Sequence, residues 1–251
     1  MSVFDGATVL ITGGSGSFGS AFTRLLLNTE RPAAVRIFSR SEHRHAEMER
    51  RISDPRLRFL KGDVRDYDRL LEAMDGVDIV VHAAALKRVE GSEQDASEAV
   101  KTNTIGALNV VRAAVERKVG RVMGLSSDKA CAAVTLYGAS KLAMERLFVS
   151  AHGTSRTQFA VVRYGNVAAS AGSVIPLFIE QRPSGRLTIT DERATRFWIT
   201  LGEATRWIKR RIELIEPRCI YVPILPSVRI MDIAHAVAPE AEVERIGMRG
   251  I

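Results

Sequence analysis

Two short stretches carry side chains able to move protons. Ser126-Ser127-Asp128-Lys129 closes an apolar run, and Tyr137-Gly138-Ala139-Ser140-Lys141 sets a phenol and an amine four residues apart. On a helix that spacing puts both groups on one face. A tyrosine is normally too weak a base, with a pKa of about 10. A neighbouring ammonium stabilises the phenolate and lowers that value. The pair could then take a hydroxyl proton while a hydride leaves the same carbon, with Ser127 hydrogen-bonded to that hydroxyl. Asp128 and Lys129 form a second acid–base pair, which simple oxidation does not need and elimination does. Next to a newly formed ketone the C–H is acidic. A base can remove that proton while an acid helps water leave from the following carbon. Returning the hydride then consumes no oxidant. The plainer readings are a surface contact for Tyr137 and Lys141 and a loop ion pair for Asp128 and Lys129.

A hydride acceptor needs its own site. Thr12-Gly13-Gly14-Ser15-Gly16-Ser17-Phe18-Gly19 follows the apolar run Thr8-Val9-Leu10-Ile11, and Phe18, Phe22, Leu25 and Leu26 then repeat at helical spacing. A buried strand, a glycine turn and an amphipathic helix let a pyrophosphate reach unpaired N–H groups at a helix N-terminus. Gly13, Ser15, Gly16, Ser17, Phe18 and Gly19 are therefore the candidate dinucleotide contacts. The oxidised nicotinamide would add to the stabilisation of a Tyr137 phenolate, and Lys141 could hold its ribose. About 20 residues past the glycines an acid would accept from the ribose 2′-hydroxyl of NAD. Ser39-Arg40-Ser41 stands there instead, and hydroxyls with a guanidinium suit a 2′-phosphate, so NADP is expected ahead of NAD. Arg36 and Arg44 nearby read as solvated. Asp63-Val64 is placed to meet the adenine amino group, or to cap a helix over 66–74. Ala83, Ala84 and Ala85 are small enough for a cofactor to approach, although packing alone would also use alanine.

Strand-like runs Val9–Thr12, Val35–Phe38, Leu57–Leu60, Ile79–Ala83, Val122–Ser126 and Ala160–Tyr164 alternate with helical patterns near 18–28, 42–52, 66–74, 97–117 and 138–151. That alternation predicts an α/β fold, a doubly wound parallel sheet with ligands outside the carboxyl ends of its strands. Residues 168–197 read as small, polar and turn-forming. A helix at about 202–214, a strand at Ile220-Tyr221-Val222 and a short helix at 230–238 are expected to follow. The 251 residues suit one globular unit. Residues 1–167 form the dinucleotide-binding core. Residues 168–251 complete that core and supply a small, shortened substrate lobe.

Hydrophobic residues make up 46% of the chain. No apolar run reaches the ~18 residues of a membrane span, and the N-terminus leads straight into a strand, leaving no room for a signal peptide. Two cysteines, Cys131 and Cys219, cannot make a disulfide framework, which fits a reduced, cytoplasmic setting. The net charge is +7, yet the basic residues are dispersed and poorly interleaved with aromatics, which argues against nucleic acid and for anionic small ligands. The densest run, Lys209-Arg210-Arg211, reads as a solvated helix face. The five histidines are scattered, so no metal site is expected.

The glycine turn together with the Tyr137–Lys141 pair resembles the short-chain dehydrogenase/reductase superfamily. More specifically, the chain resembles the inverting UDP-N-acetylglucosamine 4,6-dehydratases of its extended branch. The similar stretches are 11–19, Ser39-Arg40-Ser41-Glu42, Gly62-Asp63-Val64-Arg65-Asp66, His82-Ala83-Ala84-Ala85-Leu86-Lys87 and Lys101-Thr102-Asn103. Further along they are Ser127-Asp128-Lys129-Ala130, Tyr137 to Lys141, Arg163-Tyr164-Gly165-Asn166-Val167, Gly172-Ser173-Val174-Ile175-Pro176, Ile189-Thr190-Asp191 and Thr195-Arg196-Phe197-Trp198-Ile199-Thr200. The resemblance implies Lys129 as the base at sugar C5 and Asp128 as the acid assisting loss of the 6-hydroxyl. It implies Tyr164 at the cofactor, Lys87, Asn166, Ser173, Val174 and Arg196 at the substrate, and a homo-oligomer.

The chain also departs from that family. Glu90 replaces a proline, Ala132-Ala133 an asparagine-proline, and Ala194 a methionine. The chain ends at Gly247-Met248-Arg249-Gly250-Ile251, where the family continues. That ending implies either a fragment or a smaller substrate, such as a nucleoside giving a 5,6-alkene. The main expectation is a dehydratase that retains and recycles its nicotinamide cofactor and acts on a sugar nucleotide or nucleoside. The alternatives are a nucleotide or nucleoside sugar epimerase, and a non-catalytic cofactor-binding regulator.

Overall fold

A computed structural model describes residues 2–87, 93–151, 156–168 and 173–247. Glu90, Gly172 and residues 248–251 lie outside them. Contacts divide the chain into two units, residues 1–163 with 205–222, and residues 164–204 with 223–251.

The first unit is built on strands β1 (Thr8–Thr12), β2 (Ala34–Ser39), β3 (Leu57–Lys61), β4 (Ile79–His82), β5 (Arg121–Ser127) and β6 (Gln158–Tyr164). Their order is β3-β2-β1-β4-β5-β6, extended beyond β6 by the short strand β10 (Ile220–Tyr221). The sheet is parallel and Rossmann-like, as the alternation of elements predicted. Strands such as Val9-Leu10-Ile11 and Ile79-Val80-Val81 are apolar on both faces because helices cover both faces. One layer of core packs Phe38, Val80, Val122, Phe159 and Val161 of the sheet against Val110, Ala113, Met144 and Phe148 of two helices. Burying one such side chain is worth about 2 kcal/mol.

Helices α1 (Ser17–Thr29), α2 (Glu42–Arg51) and α3 (Tyr67–Ala73) lie close to the expected bounds. Their caps explain where they start. Ser41 Oγ accepts from Arg44 N, and Asp66 Oδ1 accepts from Arg69 N at 3.0 Å. The cap of α3 is therefore Asp66 and not Asp63. In α1 the buried face carries Phe22, Leu26 and Leu27, while Leu25 is only partly covered.

The helix expected over 97–117 is not continuous. It runs as α4 (Ala96–Val100), a π-helical turn over Lys101–Ile105, and α5 (Gly106–Glu116). Helix α6 (Leu136–Ser150) starts where Thr135 Oγ1 accepts from Gly138 N at 3.1 Å. Arg36 is not simply solvated, because its guanidinium donates to Ala73 O at 2.9 Å and Asp75 O at 2.7 Å.

A later helix, α8 (Leu201–Glu213), corrects another expectation. Lys209 is largely covered and held between Glu30 and Glu213. The Arg211 guanidinium lies 5.9 Å from the Trp207 ring and 5.6 Å from the Tyr221 ring. Only Arg210 of the three presents an exposed side chain. The apolar stems and opposite charges around this helix favour packing over solvation.

The second unit has more regular structure than its turn-rich composition suggested. Helix α7 (Val174–Gln181) is followed by β8 (Arg186–Ile189) and β9 (Thr195–Ile199). Phe178 of α7 is buried with Leu187, Ile189 and Trp198, and with Ile230 and Ala234 of helix α9 (Ile230–Val237). Strand β8 pairs in parallel with β12 (Glu242–Arg245), and β9 pairs with β7 (Asn166–Val167) and β11 (Ser227–Arg229). Among the described residues no helix is long and apolar enough to cross a membrane.

Candidate active site

The carboxyl ends of β1, β4 and β5 align, with Thr12 opposite His82 and His82 opposite Gly124. At the end of β1 the chain turns through Gly13 at φ +66°, a left-handed conformation that costs a side-chain-bearing residue strain. A Cβ on Gly13 would also stand 2.8 Å from the Ala84 backbone, and one on Gly19 would stand 2.3 Å from Gly14 O. The turn, the start of α1 and the Ala83–Ala84 strand end are therefore packed backbone to backbone. Gly16, the N-cap of α1, has no side-chain capping bond, and the first turn carries no acid. A Cβ on Gly16 would meet only Gly13 O, at 3.2 Å. Free amide donors, a helix dipole and room on the outer side fit a pyrophosphate. Ser15 and Ser17 lie at that helix start, and Phe18 stacks on Phe22 with ring centroids 5.4 Å apart.

Ser39 ends β2. Its hydroxyl joins Ser15 Oγ at 2.8 Å and His45 Nε2 at 2.6 Å. Arg40 is half-exposed, and its guanidinium lies 3.7 Å from Asp63. Asp63 is not an open carboxylate. It accepts from Arg65 N at 3.0 Å, Nε at 2.9 Å and Nη2 at 2.6 Å. The Arg65 fork offsets the burial of Asp63 and holds its pKa below the usual carboxylate range. Val64 is buried in the core, so its side chain faces the sheet packing rather than a ligand.

The proton-moving side chains gather at the end of β5. Ser127 Oγ donates to Asp128 Oδ1 at 2.9 Å, and Lys129 Nζ donates to the same oxygen at 3.2 Å. Asp128–Ala130 form a single 3₁₀ turn, which Ser127 caps through Lys129 N. Tyr137 is buried, hydrogen-bonded to Ser127 and within reach of the Asp128 charge. Burial pushes its phenol up to about 12 despite the Ser127 bond. Lys141, one turn along α6, donates to Leu125 O at 2.7 Å, and burial draws it down to about 8. In this resting site burial outweighs any lowering of the phenol by the lysine. Its ammonium is turned onto a strand carbonyl, and desolvation dominates both groups.

Three further groups support this cluster. Asn103, inside the π turn, accepts from Leu86 N at 2.8 Å and donates to Leu86 O and Ser140 Oγ, each at 3.0 Å. It ties the 83–87 segment to α6 between Tyr137 and Lys141. His82 Nδ1 lies 2.8 Å from Thr12 Oγ1, which also receives Ala84 N at 3.3 Å. Glu145 binds Ser126 and Arg163. Its position one turn beyond Lys141 was a legible signal, since Tyr137, Lys141 and Glu145 repeat every four residues.

Lys87 is exposed in the first unit. Tyr164, Asn166, Ser173, Val174 and Arg196 belong to the second unit. There Asn166 pairs opposite Trp198, Ser173 precedes α7 with its hydroxyl buried, and Val174 packs on that unit's core. Arg196 is exposed and donates to Thr195 O at 2.8 Å. Among the described residues no three His, Cys, Asp or Glu side chains could together hold a metal ion.

Comparison with known proteins places this geometry. The chain is 44% identical over 252 aligned residues to the inverting UDP-N-acetylglucosamine 4,6-dehydratase of Campylobacter jejuni, covering 98% of this chain and 75% of that protein. It is 42% identical to the UDP-glucose 4-epimerase of Rickettsia canadensis, covering 94% of this chain and 71% of that one. Among solved structures, Pen from Bacillus thuringiensis superposes with a TM-score of 0.94 at 37% identity, over 98% of this chain and 80% of Pen. DesIV, a dTDP-glucose 4,6-dehydratase from Streptomyces venezuelae solved with NAD bound, gives 0.86 at 26% identity, over 96% of this chain and 85% of DesIV. Residues 9–250 match the polysaccharide biosynthesis protein family, and the chain belongs to that family, an extended short-chain dehydrogenase/reductase related to sugar-nucleotide dehydratases and epimerases.

Proposed function

We propose that this chain is a cofactor-retaining dehydratase acting on a sugar nucleotide. In this reading it oxidises the sugar C4 hydroxyl, removes the C5 proton, expels the 6-hydroxyl as water and returns the hydride. A nicotinamide dinucleotide, when bound, supplies the transient hydride acceptor. The amides of the first turn of α1 would hold its pyrophosphate, for which Gly16 leaves room, and Ser39 with Arg40 its adenosine ribose. NADP is the form we propose, because no acid stands at the end of β2 to repel a 2′-phosphate. Ser127 and Tyr137 would receive the C4 hydroxyl, with Tyr137 taking its proton.

The observation that carries the reading is the contact between Asp128 and Lys129 at 3.2 Å beside the Ser127–Tyr137 bond. An ammonium–carboxylate pair has neither a free base nor a free acid. Moving one proton from Lys129 Nζ to Asp128 yields an amine and a carboxylic acid, the two groups that elimination requires. The amine then takes the C5 proton, and the electron pair of that C–H bond forms the C5–C6 double bond. The acid protonates the departing 6-hydroxyl, and the ion pair is restored. An epimerase shares the oxidation but needs no such pair.

The test is Lys129→Ala with UDP-N-acetylglucosamine. Reduced cofactor should accumulate, no water should be lost, and solvent deuterium should not enter C5. Normal water loss at saturating substrate would refute the role of Lys129. A wild-type product of unchanged mass would favour epimerisation.

A further inference from the structure

At the adenosine end of the candidate cofactor site, three side chains from three separate elements join into one hydrogen-bonded chain. Ser15 belongs to the glycine turn, Ser39 ends β2, and His45 lies in the first turn of α2. Ser15 Oγ stands 2.8 Å from Ser39 Oγ, which stands 2.6 Å from His45 Nε2. The imidazole is buried and its ring centre lies 5.3 Å from that of Phe59 on β3, whereas both serines are partly open. The chain thus leads from a buried titratable ring to hydroxyls at the carboxyl edge of the sheet, where such sheets bind their ligands. Each hydroxyl has one proton to donate, so the chain has two directions. Where Nε2 accepts from Ser39 and Ser39 accepts from Ser15, both protons are spent inward and only lone pairs face out. That end suits the 2′-hydroxyl of NAD, a donor. Where Nε2–H donates to Ser39, one hydroxyl proton is left to point outward, which suits a phosphate oxygen.

We propose that His45 is a specificity-determining residue: by donating to Ser39 it turns a hydroxyl proton outward and so selects a 2′-phosphate over a 2′-hydroxyl. The inference rests on the reading that a nicotinamide dinucleotide binds here, and assigns a residue to the choice between its two forms. An imidazolium has only donors, so protonation locks the outward direction. A phosphate on Ser39 would in turn favour the imidazolium one hydroxyl away. The charged groups around His45 are Glu42 on its own helix, Lys61 at the end of β3, which pairs with Glu42 at 3.0 Å, and Arg40 beyond Ser39, which faces Asp63. From α1 the contact on α2 is uncharged, Ser20 Oγ donating to Met48 Sδ at 3.6 Å. Burial holds the imidazole below its ordinary range against the upward pull of Glu42, so the ring is neutral at pH 7 and both directions are open to it.

The experiment is a titration of the imidazole signals by NMR on ring-labelled full-length protein saturated with NADP or with NAD, His45 being assigned by the signal lost in His45→Gln. The His45 midpoint should stand about one unit higher in the NADP complex. Linkage then makes the preference for NADP strongest at low pH and removes it as pH rises through the upper midpoint. By calorimetry, the NADP-to-NAD affinity ratio should rise about tenfold more on acidification in the wild type than in His45→Gln, which keeps a hydrogen bond to Ser39 without a charge. The variant cancels the titration of the 2′-phosphate itself, which both proteins share. Equal midpoints in the two complexes, or the same pH dependence in a folded His45→Gln protein, would overturn the proposal while leaving dinucleotide binding intact. Should that variant fail to fold, His45 is assigned by its through-space contact with the Phe59 ring, and Ser39→Ala cuts the chain. The two midpoints should then draw together, and an undiminished gap would overturn the proposal. A protein that binds neither dinucleotide would strike the cofactor reading and this inference with it.

Discussion

Gly138 separates the two halves of the proposed reaction. It occupies the first turn of α6, next to Tyr137, and a Cβ built there would stand 2.2 Å from Lys129 O. Carbon and carbonyl oxygen do not approach closer than about 3 Å. Gly138→Ala must therefore push the Asp128–Ala130 turn away by close to 1 Å. The helix itself cannot retreat easily, because Thr135 caps Gly138 N and Ser140 is bonded to Asn103. Replacing glycine by alanine in a helix favours folding by about 1 kcal/mol, while the overpacked contact costs about 1–3 kcal/mol. Stability should thus change little or fall by up to about 2 kcal/mol. Activity should change far more, since a 1 Å misplacement of a reacting group costs about 100-fold. The loss should fall on elimination, which uses Lys129, more than on hydride transfer, which uses Tyr137. Rapid-quench analysis should show reduced cofactor forming at a near-normal rate and water loss slowed about 100-fold. A variant with wild-type elimination and a raised melting temperature would refute the reasoning, because it would mean that the turn carrying Lys129 relaxes without consequence.

Three further outcomes are expected. Burial lowers Lys141 to about 8 from an ordinary 10.5, so the unfolded chain binds more protons between those values and stability rises with pH across that window. Lys141→Met should therefore abolish hydride transfer, yet stabilise the protein at pH 7 by on the order of 3 kcal/mol. That advantage should vanish as pH climbs from 8 towards 10, as followed by denaturant melts. Arg40→Ala should weaken NADP at least tenfold and NAD hardly at all by titration calorimetry, and equal losses would show that Arg40 does not read the 2′-phosphate. Ala132 sits at φ +48°, and Ala132→Gly should relieve about 1 kcal/mol of left-handed strain and raise the melting temperature by a few degrees.

The features legible in the sequence are those set by short-range geometry. The parallel sheet follows from apolar runs punctuated by capped helices, and the end of β1 could be read because only glycine tolerates both φ +66° at Gly13 and the approach of Ala84. The spacing of Tyr137, Lys141 and Glu145 likewise follows from helix periodicity alone. What those groups are paired with depended on contacts between residues far apart in sequence. Asn103 meets Ser140 across 37 residues, and a π turn that no pattern of residue types announced aims it there. Arg40, from the end of β2, reaches Asp63 at 3.7 Å, and Lys209 is enclosed by Glu30 from far upstream in the chain. In the second unit β8 finds its partner in β12, more than 50 residues on, so its local polarity could not reveal a strand. The same holds for charge. Sequence spacing suggested that Lys141 lowers the Tyr137 phenol, but desolvation, which exists only once the chain is folded, drives the phenol up and the ammonium down.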